Sequence, residues 1–351
     1  MIAGAFADAR RKQATGDRQP ATGNVGAFPR SASPVARRLS PVAGFSLCLF
    51  LTISFVGGRA LAQEASTGIP ADRLRPGLGP ATMAAVEGAE TSPSGVVSTV
   101  LGIGYVREPI VLRTVDGARV ATPVRAQLNG SLGVEIGLPR GFALRLGLPV
   151  TIVNDGDRLR GTGVGGSGND PGPGLEPAVG DLAFGIKVAL LGAPSQPGLH
   201  AAIALEGSVP LGGEAQFAAT DGPTIAPRLF VDYRLPWLTL AIDAQARFAR
   251  ARALFGTRLA DEVLIAAGAI AKIAALGPAR RWHLLGYVEA QGVIASDAAA
   301  RPAELRAALR LAGPVDVDVG GGAGLVDAVG APRFRLFVLL RAPLQRARER
   351  R

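Results

Sequence analysis

The chain has 351 residues, 48% of them hydrophobic and 19% charged, with 47 glycines, 26 prolines and an aromatic content of only 5%. That balance is too apolar for a disordered chain. The net charge of +10 gives no support to a nucleic-acid partner, because residues 1–62 hold eight Lys/Arg against two Asp/Glu and leave 30 against 26 downstream.

The first readable element is a leader. Arg37 and Arg38 precede an apolar run from Val42 to Val56, and Ala60-Leu61-Ala62 gives a small-x-small site before Gln63. This is the three-part pattern of a cleaved export signal, with a core too short for a membrane anchor. Processing between Ala62 and Gln63 is expected, and the residues before Arg37 suggest a start codon assigned too far upstream. Cys48 lies inside the leader core, so the exported chain would hold no thiol and no disulfide. Residues 63–95 are expected to form a periplasmic N-terminal segment ahead of a barrel at 96–342, with 343–351 a basic tail.

Beyond the leader, no uncharged apolar stretch nears the ~18 residues that a spanning helix needs, which leaves a closed sheet as the route across lipid. Alternation of period 2 marks the strands. A first, weaker strand covers 96–106 and ends near Tyr105. The cleanest, 124–138, sets Val124, Ala126, Leu128, Leu132, Val134, Ile136 and Leu138 against polar or small residues that include Arg125 and Glu135. After Pro139-Arg140-Gly141 the pattern resumes at Phe142 and runs to Ile152, with Arg145 on the polar parity. The strand 181–190 opposes Leu182, Phe184, Ile186 and Val188 to Asp181 and Lys187, and 199–209 opposes Leu199, Ile203 and Leu205 to His200, Glu206 and Ser208. In 224–235, Ile225, Leu229, Val231 and Tyr233 face away from Arg228, Asp232 and Arg234, with Phe230 an exception. In 238–248, Leu240, Ile242 and Phe248 oppose Asp243, Gln245 and Arg247. Weaker strands follow at 262–273, 282–292 with Glu289, 302–311 with Glu304, Arg306 and Arg310, 315–325 with Asp316 and Asp318, and 333–342. Val263–Leu276 alternates poorly and Ala298–Ala312 has helical propensity, but the connections assign both to strands.

Those connections alternate between long (107–123, 153–178, 210–223, 249–261, 293–301, 326–332) and short (139–141, 192–198, 236–237, 274–281, 312–314). Twelve tilted strands with long loops at one end and short turns at the other describe an all-β, antiparallel, up-and-down transmembrane β-barrel with both termini periplasmic. The aromatics agree in position: Phe142, Tyr233, Trp237 and Trp282 fall beside short turns, and Tyr105, Phe248 and Phe334 beside long loops, as interface girdles do.

Three stretches carry a family resemblance. "LRPGLGPATMAAVEGAE" at 74–90, "REPIVLR" at 107–113 and "GGGAGLVDAVGAPRFRLFVLLRAP" at 320–343 resemble the barrel region of outer membrane protein A-family proteins. The resemblance implies an outer-membrane barrel. Peptidoglycan anchoring is not carried over, since the sequence after the barrel is only the short basic tail. Recognition by the barrel assembly machinery would rest on Phe334 and Phe337.

Catalytic and metal chemistry find little support. There is no Gly-x-Ser-x-Gly elbow, and Ser208 lies far along its strand from His200. The loop 154–174, with Asp155, Asp157 and Asp170, does not have EF-hand spacing and reads as a surface loop. No enzyme activity, metal or cofactor is expected. The informative set is the presumed lumen, Arg125, Glu135, Arg145, Asp181, Lys187, Glu206, Arg228, Asp232, Asp243, Arg247, Glu289, Arg306, Asp316 and Asp318. Both signs on neighbouring strands fit a selective channel for small solutes, and equally a salt-bridged lumen that only stabilises an envelope protein embedded in outer-membrane lipid. A secreted, soluble all-β binding protein is the alternative, because parity alone does not say which face meets water; an outer-membrane hydrolase is the remote one.

Overall fold

The computed structural model describes residues 69–345, apart from 81, 115, 158–176, 195, 213–216, 255–256 and 278–280. The expected leader with its Ala62/Gln63 site, and most of the loop that holds Asp170, lie outside the described residues.

Among the described residues fifteen strands follow in order: β1 (Val96–Arg113), β2 (Arg119–Gly137), β3 (Phe142–Asp155), β4 (Ala178–Val179), β5 (Asp181–Leu191), β6 (Gly198–Pro210), β7 (Thr224–Arg234), β8 (Leu238–Ala249), β9 (Arg252–Leu254), β10 (Thr257–Leu259), β11 (Glu262–Leu276), β12 (Trp282–Ala295), β13 (Ala303–Ala312), β14 (Asp316–Gly324) and β15 (Phe334–Gln345). Twelve of them form a closed antiparallel barrel. Each of β1, β2, β3, β5, β6, β7, β8, β11, β12, β13, β14 and β15 pairs with the next, and β15 returns to β1 from Val96↔Gln345 to Arg107↔Phe334. Closure removes every unpaired edge, which a sheet in hydrocarbon requires. The short β4 pairs with β3 at Val150 and Thr151, and β9 and β10 make a hairpin inside the long loop between β8 and β11.

Two strand boundaries differ from the sequence expectation. The interval 107–123 is largely strand, because β1 and β2 keep pairing to Arg113↔Arg119 through register shifts that begin between Arg107 and Ile110. Glu108 there takes a positive φ of 52°, and the bulge changes which face the next residues present, so alternation stops where pairing does not. At the other end, β15 runs on to Gln345, into the stretch expected to be tail. The helical propensity near Ala298 is spent on one 3₁₀ turn, Ala298–Ala300, whose Asp297 accepts from the Ala299 N–H, and β13 begins at Ala303.

The apolar parity points outward. Leu101, Leu146, Phe184, Leu229, Ile242, Leu309 and Leu336 are all exposed on the barrel wall, while Glu135, Lys187, Asp243 and Asp318 on the opposite parity are fully buried. A water-soluble barrel would invert this distribution, so the secreted binding-protein alternative does not fit the fold. Among the interface aromatics, Phe142, Tyr233 and Trp237 are exposed at the short-turn end, and Phe248 and Phe334 at the long-loop end; the Tyr105 and Phe334 rings lie 5.8 Å apart, and Trp282 is half-buried. Phe337 is buried on the inner face, whereas Phe334 faces outward. Ile242, 55% exposed on the middle of β8, gives a direct test of the belt: Ile242→Arg should cost about 2–4 kcal/mol of folding free energy in lipid, read by urea titration in liposomes, whereas a change near zero would place this face in water.

The described part of the expected periplasmic segment, from Ile69 onward, is inside the barrel, and this corrects the sequence reading of 63–95. Ile69 and Ala71 pack with Ile110, Val124, Phe217, Leu259 and Ala300 at the long-loop end, and the Ala71 N–H donates to the Phe217 carbonyl at 2.8 Å. At the short-turn end the Gly95 N–H donates to the Gly137 carbonyl at 2.9 Å, just before β1 begins. Between the two, the segment crosses the lumen as a plug. Pro76 and Pro80 keep it out of the sheet, and it folds back on itself through Gly77 N–H to Ala84 O and Met83 N–H to Val86 O. Gly79 makes that turn with φ +85°, and a side chain there would also strike the Glu135 carboxylate.

Candidate functional site

The site is the plug together with the wall around it, and it assembles from isolated charges. One cluster surrounds Glu87. Arg145 of β3 places Nη2 2.6 Å from both Glu87 carboxylate oxygens, Arg228 of β7 places Nη1 at 3.4 Å, and Lys187 of β5 places Nζ at 3.8 Å. The inner parity of each strand aims these side chains at the axis. The wall supplies its own counter-charges: Arg145 also binds Glu206 and lies 3.5 Å from Glu135, and Arg228 Nε donates to Asp243 Oδ1 at 2.9 Å. Register explains the last pair, since Arg228 stands opposite Gln245 and so diagonal to Asp243. Phe230, the exception to alternation in β7, lies beneath this cluster with Lys187 Nζ 4.2 Å and the Arg228 guanidinium 4.9 Å from its ring centre.

The remaining expected lumen residues divide into smaller groups, most of them bound to the plug. Asp232 accepts from the Ala89 N–H and from Arg234, which also binds Glu90. Asp181 accepts from the Thr220 N–H at 2.7 Å and meets Arg75 at 3.4 Å. Glu289 accepts from the Ala85 and Val86 N–H groups at 3.1 Å and pairs with Arg306 at 2.7 Å. Arg247 and Arg73 share Glu262. Asp318 receives Arg310 at 2.6 Å, the Tyr287 hydroxyl at 3.1 Å and Arg341 at 3.4 Å.

Two expected members stand apart. Arg125 is at the long-loop rim, paired with Asp155 and Asp157; the Thr122 N–H and Arg125 hold the Asp157 carboxyl below the usual carboxylate range. Asp316 accepts from the Gly313 N–H at 3.0 Å and shapes the β13–β14 turn. The histidine and serine weighed for hydrolysis are engaged separately: His200 Nε2 lies 2.9 Å from the Gln196 carbonyl, and the Ser208 hydroxyl 2.7 Å from that of Thr224.

The expected set omitted several members. Arg335 is buried between Asp72 and Glu304, with 2.6 Å to each, and Arg341 donates to the Gly77 and Met83 carbonyls. The five plug charges Asp72, Arg73, Arg75, Glu87 and Glu90 were equally unread, because the segment has no period. One signal was present. The inner face of β11 reads Leu264, Ala266, Gly268 and Ile270, apolar like its outer face, and these residues pack with Met83, Ala84 and Val86 of the plug, beside Val100, Phe337 and Leu339. Poor alternation in β11 thus marks the patch of wall that needs an apolar partner.

A closed barrel with an apolar outer belt and an ion-paired interior is the architecture of an outer-membrane β-barrel protein. Among solved structures, an outer membrane channel from Pseudomonas putida F1 superposes with TM-score 0.50 and 13% identity, over 73% of this chain and 98% of that one. The NanC porin matches with TM-score 0.41 and 7% identity, over 70% of this chain and 97% of its own. No family model and no curated protein matches the sequence. The likeness to the P. putida channel is one of fold.

Proposed function

We propose that this chain is an outer-membrane β-barrel pore for small solutes, exported through a cleaved signal, whose lumen is occupied by its own N-terminal plug. The observation that carries the reading is the way the plug is held: by ion pairs and hydrogen bonds to polar side chains projecting from β1, β2, β3, β5, β7, β11, β12 and β15. A barrel built only as a scaffold gains more from a packed apolar interior, since buried ion pairs seldom outweigh their desolvation; a polar wall is what a passage for hydrated solutes requires. The P. putida structure, an outer membrane channel by its description, is consistent with this. The resemblance of residues 74–90, 107–113 and 320–343 to outer membrane protein A-family barrels supports a second reading, a structural envelope protein with a permanently filled lumen.

Planar-bilayer recording on the detergent-purified chain separates the two. Discrete conductance steps, rare at rest and more frequent at high salt, which weakens the plug's rim contacts, are expected for the pore. A folded barrel that stays silent with and without residues 69–92 would assign the scaffold.

A further inference from the structure

We infer that the wall cations Arg145, Lys187 and Arg228 form a binding site for a small carboxylate solute, and that Glu87 of the plug fills this site in cis. The inference deepens the pore reading by naming a solute class. Its geometric core is a carboxylate fully withdrawn from bulk water, gripped by Arg145 at 2.6 Å on both oxygens, with Arg228 at 3.4 Å and Lys187 at 3.8 Å. Two-oxygen contact from one guanidinium with a second and third cation alongside is the chemistry that recognises a free carboxylate.

Three further features make the position exchangeable. First, the two arginines keep their orientation without Glu87, because Arg145 is also bound by Glu206 and Arg228 by Glu206 and Asp243. Second, Lys187 is fully buried, and among the described residues the acceptors that its ammonium meets belong to the plug: the Gly88 carbonyl at 2.7 Å, the Glu90 carbonyl at 3.2 Å and the Glu87 carboxylate. Removing the Glu87 carboxylate while the plug stays in place takes an anionic partner from this buried ammonium, a loss that a small carboxylate can offset. Third, a cavity touches Glu87, Arg145 and Arg228 on one side and Leu74, Pro76 and Val100 on another. Its mixed polar and apolar lining suits a carboxylate with a compact apolar body, such as benzoate.

The test uses the full chain in detergent. Glu87→Ala removes the resident carboxylate, and thermal unfolding is followed by the heat-dependent shift of the barrel on gels, with acetate or benzoate titrated against chloride at matched ionic strength. A saturable rise of several degrees is expected with either carboxylate, absent with acetamide, absent in the parent chain and lost in Glu87→Ala/Lys187→Met. Carboxylates that stabilise Glu87→Ala no more than chloride does would overturn the site. Should the alanine variant fail to fold, Glu87→Gln keeps the side-chain volume and is judged by the same two outcomes. Because the readout is stability, the site and the pore fail separately: a carboxylate response in a non-conducting barrel retains the site and removes the passage, and conductance without that response does the reverse.

Discussion

Deleting residues 69–92 is expected to turn the resting, mostly closed barrel into one with a severalfold larger and nearly permanent single-channel conductance. The plug spans the lumen from the Phe217 carbonyl at the long-loop end to Gly137 at the short-turn end. Its apolar turn, Met83 to Val86, fills the space in front of β11, β12 and β15. Nothing in the wall pairing depends on it, since every strand of the barrel is bonded to two other strands. The deletion does uncover charges, above all Lys187, so some loss of thermal stability should accompany the gain in current. Heat-dependent gel mobility shows whether the barrel has formed, and bilayer recording then reads the lumen. A folded deletion variant with the conductance of the parent would mean that the wall side chains close the passage by themselves.

The second large effect is expected from Asp318. Its carboxylate is fully buried and compensates two guanidiniums, Arg310 at 2.6 and 2.8 Å and Arg341 at 3.4 Å, while also accepting from Tyr287. Asp318→Ala leaves both cations without that partner in a site from which water is excluded, a loss of about 3–5 kcal/mol. The exposed pair Arg113–Asp327, 3.5 Å apart, provides the contrast: Asp327→Ala should cost no more than ~1 kcal/mol, because solvent screens it. Urea titrations of the two variants in the same liposomes measure the difference. Equal costs would show that water reaches the lumen freely enough to screen Asp318 as it screens the rim.

Much of the wall was legible before any coordinates. Residues 124–138 and 142–152 announce a hairpin because the pleat puts successive side chains on opposite faces, and lipid on one side with charge on the other writes that pleat into the residue types. The contact between Arg228 and Asp243 follows from a tight turn at 236–237 alone. Legibility fails where the local rule is broken for a distant reason. Alternation ends at Arg107 because a bulge at Glu108 changes the facing of residues that continue to pair. It blurs in β11 because Ala266 and Gly268 give room to Met83, far away in sequence. It misjudges Arg125, whose parity says lumen while its position along β2 puts it at the rim with Asp155 and Asp157.

The sequence by itself determined the barrel: strand number, antiparallel order, the long-loop and short-turn ends, and the residues of each parity. These are consequences of backbone pleating and of the need to pair every peptide group in hydrocarbon, and both act residue by residue along the chain. Only the tertiary structure decided what fills the interior. Residues 69–95 have no periodicity to read, and their path is set by partners brought from Arg145, Lys187, Asp232, Glu289 and Arg335, residues scattered over the whole wall that become neighbours of Glu87, Ala89, Ala85 and Asp72 once the ring of strands has closed.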